Sequence, residues 1–378
     1  MAWLNPMFQV WLPILALSIL TACAGRSTIA FLPEDIEPSG VETVLVASTR
    51  AIEDGAFSAR RSETLNYMQF DVSVPPDREL GQIETVREHR PRIDPTRQFL
   101  VREATDIDDS TAFQAALNRA LSDIPRGQAR EATIFVHGFN NTFADGLYRT
   151  AQLQHDFNIP GAAIHYSWPS AGHVMGYAYD RDSALFARNG LEALMIDTAA
   201  GGSHDIVLVA HSLGSSLVME TLIRLRVARR QDILDRISGV ILLSPDIDIT
   251  VFRSQALRIA PLPQPFVIFT SRSDRALLLS AGITGRNDRL GNIDDIEELA
   301  DLDVTLVDVS GFSGTDNDRL NHFTAVASPA VVEIINRVDE VANALEGGVE
   351  RRVGLLPGTI LTVQNATQVI LTPVAATP

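Results

Sequence analysis

Short apolar runs near residues 43–48, 67–74, 133–136, 206–210, 239–244, 265–270 and 303–309 punctuate this chain and are expected to be strands. Between them lie mixed stretches predicting helices near 110–122, 143–157 and 213–229, with a last one over about 329–345. Strands alternating with helical stretches are what a parallel sheet with crossover helices requires, so the pattern predicts an α/β fold. The polar, proline-interrupted region 75–105 reads as loop. Beyond Arg352 no charged residue remains, and the Thr/Val/Ile-rich stretch 359–372 reads as a strand or hairpin, or else as a disordered tail.

The most informative run is Ile206-Val-Leu-Val-Ala210, because it passes directly into His211-Ser212-Leu213-Gly214 and then a helix. A serine on a sharp strand-to-helix turn needs small residues two before and two after it, and Ala210 and Gly214 fill those places. Such a nucleophile elbow makes Ser212 a candidate nucleophile. A hydroxyl is a weak nucleophile, so it requires a base within hydrogen-bond reach and an acid to hold that base in the right tautomer. With the chain order serine, acid, histidine, the base must follow Ser212, and His322 is the only histidine after it.

Two aspartates stand at the ends of apolar strands in the required interval. Asp274 closes Pro265-Phe-Val-Ile-Phe-Thr-Ser-Arg-Ser-Asp274, and Asp246 closes Val240-Ile-Leu-Leu-Ser-Pro-Asp246. Each would also serve as a helix N-cap. Asp274 is the favoured acid, with Asp246 the alternative. An oxyanion hole would combine the Leu213 amide with one from the turn after the strand Thr133-Ile-Phe-Val136, where His137-Gly-Phe-Asn-Asn141 offers the Phe139 amide. Gly138 would let the backbone approach the substrate, and Asn140 or Asn141 would cap the following helix or orient the loop.

The ordered set His137-Gly-Phe-Asn-Asn-Thr-Phe143, Tyr166-Ser-Trp-Pro-Ser170, Tyr179-Asp-Arg-Asp-Ser183, Ala210-His-Ser-Leu-Gly214 and Ser244-Pro-Asp-Ile-Asp248 resembles a bacterial α/β-hydrolase family of unknown function. The resemblance runs from about residue 42 to 344, including Thr43-Val-Leu-Val-Ala-Ser-Thr-Arg50 and Asp71-Val-Ser-Val-Pro-Pro76. It implies the α/β-hydrolase fold, a mostly parallel twisted sheet with helices on both faces. It also implies a serine-hydrolase triad, carried onto Ser212, Asp274 and His322. An esterase- or lipase-like activity on a small-molecule ester or lipid is the expectation, and a non-catalytic envelope lipoprotein using the scaffold for binding is the alternative.

Composition narrows the chemistry. The 31 basic residues are all arginine, which removes Schiff-base, P-loop-lysine and pyridoxal-phosphate enzymes. A net charge of −16 argues against nucleic acid as a partner. With one cysteine and no zinc-ligand spacing, neither a metal nor an organic cofactor is implied.

That one cysteine, Cys23, follows the apolar run Trp11-Leu-Pro-Ile-Leu-Ala-Leu-Ser-Ile-Leu20 in Leu20-Thr-Ala-Cys23, a pattern resembling a bacterial lipobox. Residues 1–22 then read as a signal peptide, although residues 1–6 carry no Lys or Arg, and an uncleaved N-terminal anchor is the other reading. Cys23 would be the lipidation site and the membrane a partner through it. Ala24 after the cysteine leans toward the outer membrane, facing the periplasm. Residues 23–40 are expected to be a linker that spaces the domain from the membrane, 41–346 one catalytic domain, and 347–378 an extension.

Two segments are candidates for covering the serine. One is 166–179, where Trp168, His173, Met175, Tyr177 and Tyr179 would line an acyl or alcohol pocket or belong to the core. The other is the glycine-containing, acidic stretch 279–302, a lid or a surface excursion. Asp180 and Asp182 beside Arg181 read as an exposed ion-pair network.

Overall fold

The computed structural model describes residues 26–89, 91–122, 124, 130–284, 289–312, 322–329 and 332, with the backbone of 351–356, 359–365 and 368–373. The proposed signal peptide, Cys23 and nearly all of the helix expected at 329–345 lie outside the described residues.

Among the described residues twelve strands form one sheet. In chain order they are β1 (Val41–Glu53), β2 (Ala56–Ser73), β3 (Leu100–Ile107), β4 (Glu131–Val136), β5 (Ala162–Ser167), β6 (Asp205–His211), β7 (Ile237–Leu243), β8 (Phe266–Thr270), β9 (Thr305–Asp308), β10 (Arg351–Leu356), β11 (Thr359–Asn365) and β12 (Gln368–Pro373). Their spatial order is β10-β11-β12-β9-β8-β7-β6-β4-β5-β1-β2-β3. From β12 through β1 every neighbouring pair is parallel, and antiparallel strands close both edges. The described residues of the stretch 359–372 are thus β-structure, and β10 to β12 continue the sheet.

Burial explains why the central strands are so legible. Ala132, Ile134 and Val136 of β4 enter the main core with Phe113, Leu191, Leu217 and Phe252, while Phe135 points to the opposite core with Val209, Phe269 and Val307. A strand buried on both faces has no polar register to show, and it reads as a continuous apolar run. The edge is different. In β3, expected as loop, Val101 is buried but Arg102 and Glu103 are exposed, and the strand pairs antiparallel with β2. Its charged residues face water, as on one side of an edge strand, which is why no apolar run marks it. The hairpin joining β1 to β2 turns at Asp54 and Gly55, both with positive φ (51° and 78°), the two-residue geometry that matches strand twist.

Among the described residues the helices are α1 (Ser110–Ser122), α2 (Phe143–Asp156), α3 (Tyr177–Ala200), α4 (Leu213–Val227), α5 (Gln231–Leu234), α6 (Ile249–Ile259), α7 (Arg275–Thr284) and α8 (Thr324–Ala327). The main core cluster takes side chains from α1, α3, α4 and α6 on one face of the sheet. On the other, Phe143, Leu147, Tyr148 and Ala151 of α2 cover Val44, Val46, Phe70 and Val72. Thr142 begins α2 with a reciprocal capping box: its side chain accepts from Asp145 N, and Asp145 accepts from Thr142 N.

One expectation is corrected at the N-terminus. Residues 26–32 are pinned to the domain and are no spacer: Thr28 N donates to Val86 O at 3.0 Å, Glu88 N to Arg26 O at 3.1 Å, Val101 N to Ala30 O at 2.8 Å and Leu32 N to Val101 O at 2.8 Å. Polar backbone in this strip finds ladder partners, so it behaves as a strand segment despite its prolines downstream.

Candidate active site

The elbow has the strained geometry its sequence calls for. Ser212 sits at φ 51°, ψ −120°, between the end of β6 and the start of α4. A non-glycine residue in this region costs of order 1–3 kcal/mol and persists only where its surroundings hold it. Here Ser212 N donates to Leu243 O at 2.9 Å, and Ser212 O accepts from Ser215 N at 3.0 Å and Asp246 N at 3.2 Å. Gly214 is dictated sterically, since a Cβ there would lie 2.4 Å from His137 O and 2.6 Å from Val136 O.

His322 and Asp274 meet although 48 residues separate them. His322 Nδ1 donates to Asp274 Oδ2 at 2.7 Å. Asp274 is fully buried, and its other oxygen accepts from Ala276 N at 3.0 Å and Leu277 N at 3.1 Å. The aspartate therefore caps α7 and faces the histidine at once. With Nδ1 protonated, the His322 Nε2 carries the lone pair. The ring stands beside the elbow: His211, adjacent to Ser212, holds its own ring 4.5 Å from that of His322, centroid to centroid, and its Nε2 donates to His322 O at 3.2 Å. His211 also stacks on Phe323 at 4.1 Å.

Asp246 is engaged elsewhere. Its carboxylate accepts from Tyr177 Oη at 2.8 Å and from Ser280 Oγ at 2.8 Å, and it pairs with Arg289 Nε at 3.3 Å. All four groups are largely buried. Its place is behind the elbow, bracing the chain at Ser212 O, and no contact joins it to His322 among the described residues. The Tyr177 ring in turn meets Phe139 edge-on at 5.2 Å.

Facing Ser212 is the turn 137–142. A Cβ on Gly138 would lie 2.6 Å from His211 Nδ1 and 2.9 Å from Ser212 Cβ, so the backbone of this turn presses directly on the elbow. The Leu213 N–H heads α4 and has no intrahelical acceptor. No acceptor for the Phe139 N–H is found among the described residues. Both amides lie in the segments that bracket Ser212, the start of α4 and the turn that presses on the elbow.

Sequence reasoning missed what holds this turn. Arg50, 2% exposed, sends Nη2 to Asn141 O at 3.0 Å, Nη1 to Ser170 O at 3.0 Å and Nε to Ser167 Oγ at 2.9 Å. Opposite it, Asp180 accepts from Ser170 Oγ at 2.6 Å, Ala171 N at 2.6 Å and Asn140 N at 3.1 Å. Asp180 is therefore a buried clamp and not part of an exposed ion-pair network; Asp182 and Arg181, a helical step away, face solvent. Burial pushes the Arg50 guanidinium down to about 10 and raises the Asp180 carboxyl. The available signal was a charged residue ending the apolar run that starts at Thr43, whose residues from Val44 to Arg50 are buried.

Three further histidines, His137, His165 and His211, are buried and neutral. Burial is the largest cause each time, lowering His137 and His211 well below the ordinary value and His165 to about 3. Arg50 adds to the effect at His137 and His165, and His322 at His211. His137 stacks on Trp168 at 4.8 Å, and the Trp168 indole donates to His137 O at 2.7 Å.

The two expected covering segments resolve differently. In 166–179, Tyr166 and Trp168 are core, Tyr177 lies beneath the site, and Met175 is 87% exposed, so it lines no enclosed pocket. In 279–302, Leu290, Ile293, Leu299 and Leu302 are buried, and Leu290 N and Gly291 N donate to Ile247 O and Pro245 O at 2.8 and 3.0 Å. The described part of that segment is packed structure and not a lid. No group of three or more His, Cys, Asp or Glu residues suited to a metal occurs among the described residues.

Residues 109–338 match the family described as alpha/beta hydrolase of unknown function (DUF900). No curated protein matches the chain. Solved structures similar to it include Thermogutta terrifontis esterase 2 phosphoramylated by tabun, 11% identical, covering 84% of this chain and 98% of that one with a TM-score of 0.36. A Pyrococcus furiosus esterase is 10% identical, covering 85% and 99%, with a TM-score of 0.36. Esterase B from Lactobacillus rhamnosis, inhibited by a tributyrin phosphonate, is 11% identical, covering 89% and 96%, with a TM-score of 0.35. The family match spans more than half of the 378 residues and contains Ser212, Asp274, His322 and the turn 137–142, and the chain belongs to this family of α/β hydrolases.

Proposed function

We propose that this hydrolase cleaves carboxylic esters through a Ser212-His322-Asp274 triad and an acyl-enzyme intermediate. The observation that carries the reading is the 2.7 Å bond between His322 Nδ1 and Asp274 Oδ2, formed beside a serine held at φ 51°. His322 Nε2 takes the Ser212 proton as Oγ attacks the ester carbonyl, and the amides of Leu213 and Phe139 hold the resulting oxyanion. Collapse expels the alcohol, which takes the proton from His322. Water, deprotonated by the same imidazole, then releases the acid. Asp274 keeps Nδ1 protonated and steadies the imidazolium.

The lipobox-like Leu20-Thr-Ala-Cys23 supports a second part of the reading, that the enzyme is anchored by acyl chains on Cys23 in the cell envelope, on the periplasmic side of the outer membrane.

Turnover of p-nitrophenyl esters from acetate to palmitate by protein starting at residue 24 tests the catalytic part. Ester cleavage is expected, and is expected to vanish in Ser212→Ala and His322→Ala with thermal midpoints unchanged. Undiminished turnover in Ser212→Ala would refute the nucleophile. Folded protein with no turnover of any ester would favour the binding-scaffold alternative.

A further inference from the structure

The strip that follows Cys23 does not stop at the far side of the domain; it ends at the active site. Arg26 Nη1 donates to Asn140 Oδ1 at 2.9 Å, and Thr142 Oγ1 donates to Ser27 O at 3.3 Å. Asn140 and Thr142 belong to the same turn as Gly138, whose backbone presses on the elbow. Ser27 is fixed further by Thr85, their hydroxyls 2.8 Å apart, and Ala30 N donates to Tyr148 Oη at 3.3 Å. In the sequence, Cys23 precedes Arg26 by only three positions. The proposed lipidation site is thus joined by a very short stretch of chain to the strip that contacts the turn 140–142.

The same rim carries exposed apolar side chains. Val174 is 52% exposed and Met175 is 87% exposed. Their loop adjoins the turn: a Cβ on Gly172 would lie 3.3 Å from Thr142 Cγ2, and Ala171 N and Asn140 N share the Asp180 carboxylate. Two adjoining apolar side chains are weak membrane ligands alone, and the acidic chain, at net charge −16, is repelled by anionic headgroups. A short covalent tether removes that obstacle by supplying a high effective concentration at one edge of the protein.

We infer that the rim formed by residues 26–27, 140–142 and 172–176 docks on a lipid bilayer, so that the enzyme draws its ester from the membrane and not from solution. The inference deepens the reading above, since it rests on Ser212 ester cleavage and on lipidation of Cys23. Val174 and Met175 enter the headgroup region, the mouth of the site opens at the depth of lipid ester groups, and the preferred substrate is a long-chain acyl ester lying in the same leaflet as the anchor.

The test uses the full chain, lipidated at Cys23 and reconstituted in phosphatidylcholine vesicles. It compares p-nitrophenyl butyrate in solution with a fluorogenic diacylglycerol ester in the bilayer. Ten Gly/Ser residues inserted after Ala24 are expected to lower bilayer-ester turnover at least tenfold and to leave butyrate turnover unchanged. Met175→Glu is expected to do the same to a smaller degree. Equal bilayer-ester turnover with and without the insertion overturns the inference, while loss of butyrate turnover in the unaltered chain overturns the esterase reading instead. A readout free of catalysis is Met175→Cys labelled with an environment-sensitive dye in the same vesicles. Blue-shifted emission quenched by brominated lipid is expected, and a water-like spectrum that the brominated lipid leaves unquenched overturns the docking.

Discussion

Two buried aspartates stand at the ends of neighbouring strands, and their surroundings give them different work. Asp274, after β8, divides its oxygens between the head of α7 and His322 Nδ1. Asp246, after β7, is ringed by Tyr177, Ser280 and Arg289 and braces the backbone behind Ser212. Both are strand-end carboxylates that precede helices, and both are nearly inaccessible to water. What separates them is the partner each meets: an imidazole N–H for one, a fixed cation and two hydroxyls for the other. Burial of a carboxylate alone thus says little about catalysis, and the identity of the group that donates a hydrogen bond to it says a great deal.

The sharpest way to break this comparison begins with the groups Asp274 serves. Ser212→Ala and His322→Ala are each expected to lower kcat by roughly 10⁴- to 10⁶-fold while leaving thermal unfolding near wild type, because the two act as one unit. Asp274→Asn is expected to lower kcat by about 10³- to 10⁴-fold, since an amide no longer fixes the reactive tautomer. Asp246→Asn should retain activity within about tenfold and lose about 3 kcal/mol of stability in urea unfolding, because Arg289 is left facing a neutral group in a buried site. Activity losses of equal size in the two aspartate variants would reverse the assignment.

Further from the chemistry, the Arg50–Asp180 clamp acts through the turn 137–142. Arg50→Lys keeps the charge but loses the planar fork that reaches Asn141 O, Ser170 O and Ser167 Oγ together. A displaced Phe139 amide is expected to lower kcat by about ten- to a hundredfold with KM little changed.

The smallest effect is one of pH on stability, and it concerns groups outside the triad. His165 is neutral in the folded chain down to about 3, whereas its ordinary value is 6.5. Between those limits the unfolded chain binds the extra proton, so stability is complete above about 6.5 and falls as the pH drops, by up to about 1.4 kcal/mol per pH unit for this one side chain. His137 and His211 are shifted in the same direction and add to the slope. Urea unfolding between pH 7 and 4.5 should show the decline, and His165→Phe should make it shallower.

Much of the fold was legible because its central strands are buried on both sides, and the helices between them follow. The elbow was legible for a local reason: only small residues fit around Ser212, and Gly214 packs on the carbonyls of 136 and 137. His322 was identified by chain order. Asp274 and Asp246 look alike in sequence, since both end strands and precede helices, and the different partners each one meets are tertiary contacts that no local pattern shows. Edge strand β3 was hidden because solvent on one side permits charged residues within it. Asp180 was misread because neighbours in sequence diverge by about 100° around a helix, so that Arg181 and Asp182 say nothing of where Asp180 points. Arg50 was passed over because the carbonyls it binds lie about a hundred residues away along the chain.

The central claim, that Ser212 is an activated nucleophile, is tested most directly by labelling the purified protein with a fluorophosphonate probe and locating the adduct by peptide mass. One adduct is expected, on the peptide containing Ser212, which disappears in Ser212→Ala and is strongly slowed in His322→Ala and Asp274→Asn but not in Asp246→Asn. Absence of any adduct on the folded protein, or an adduct that persists in Ser212→Ala, would contradict it.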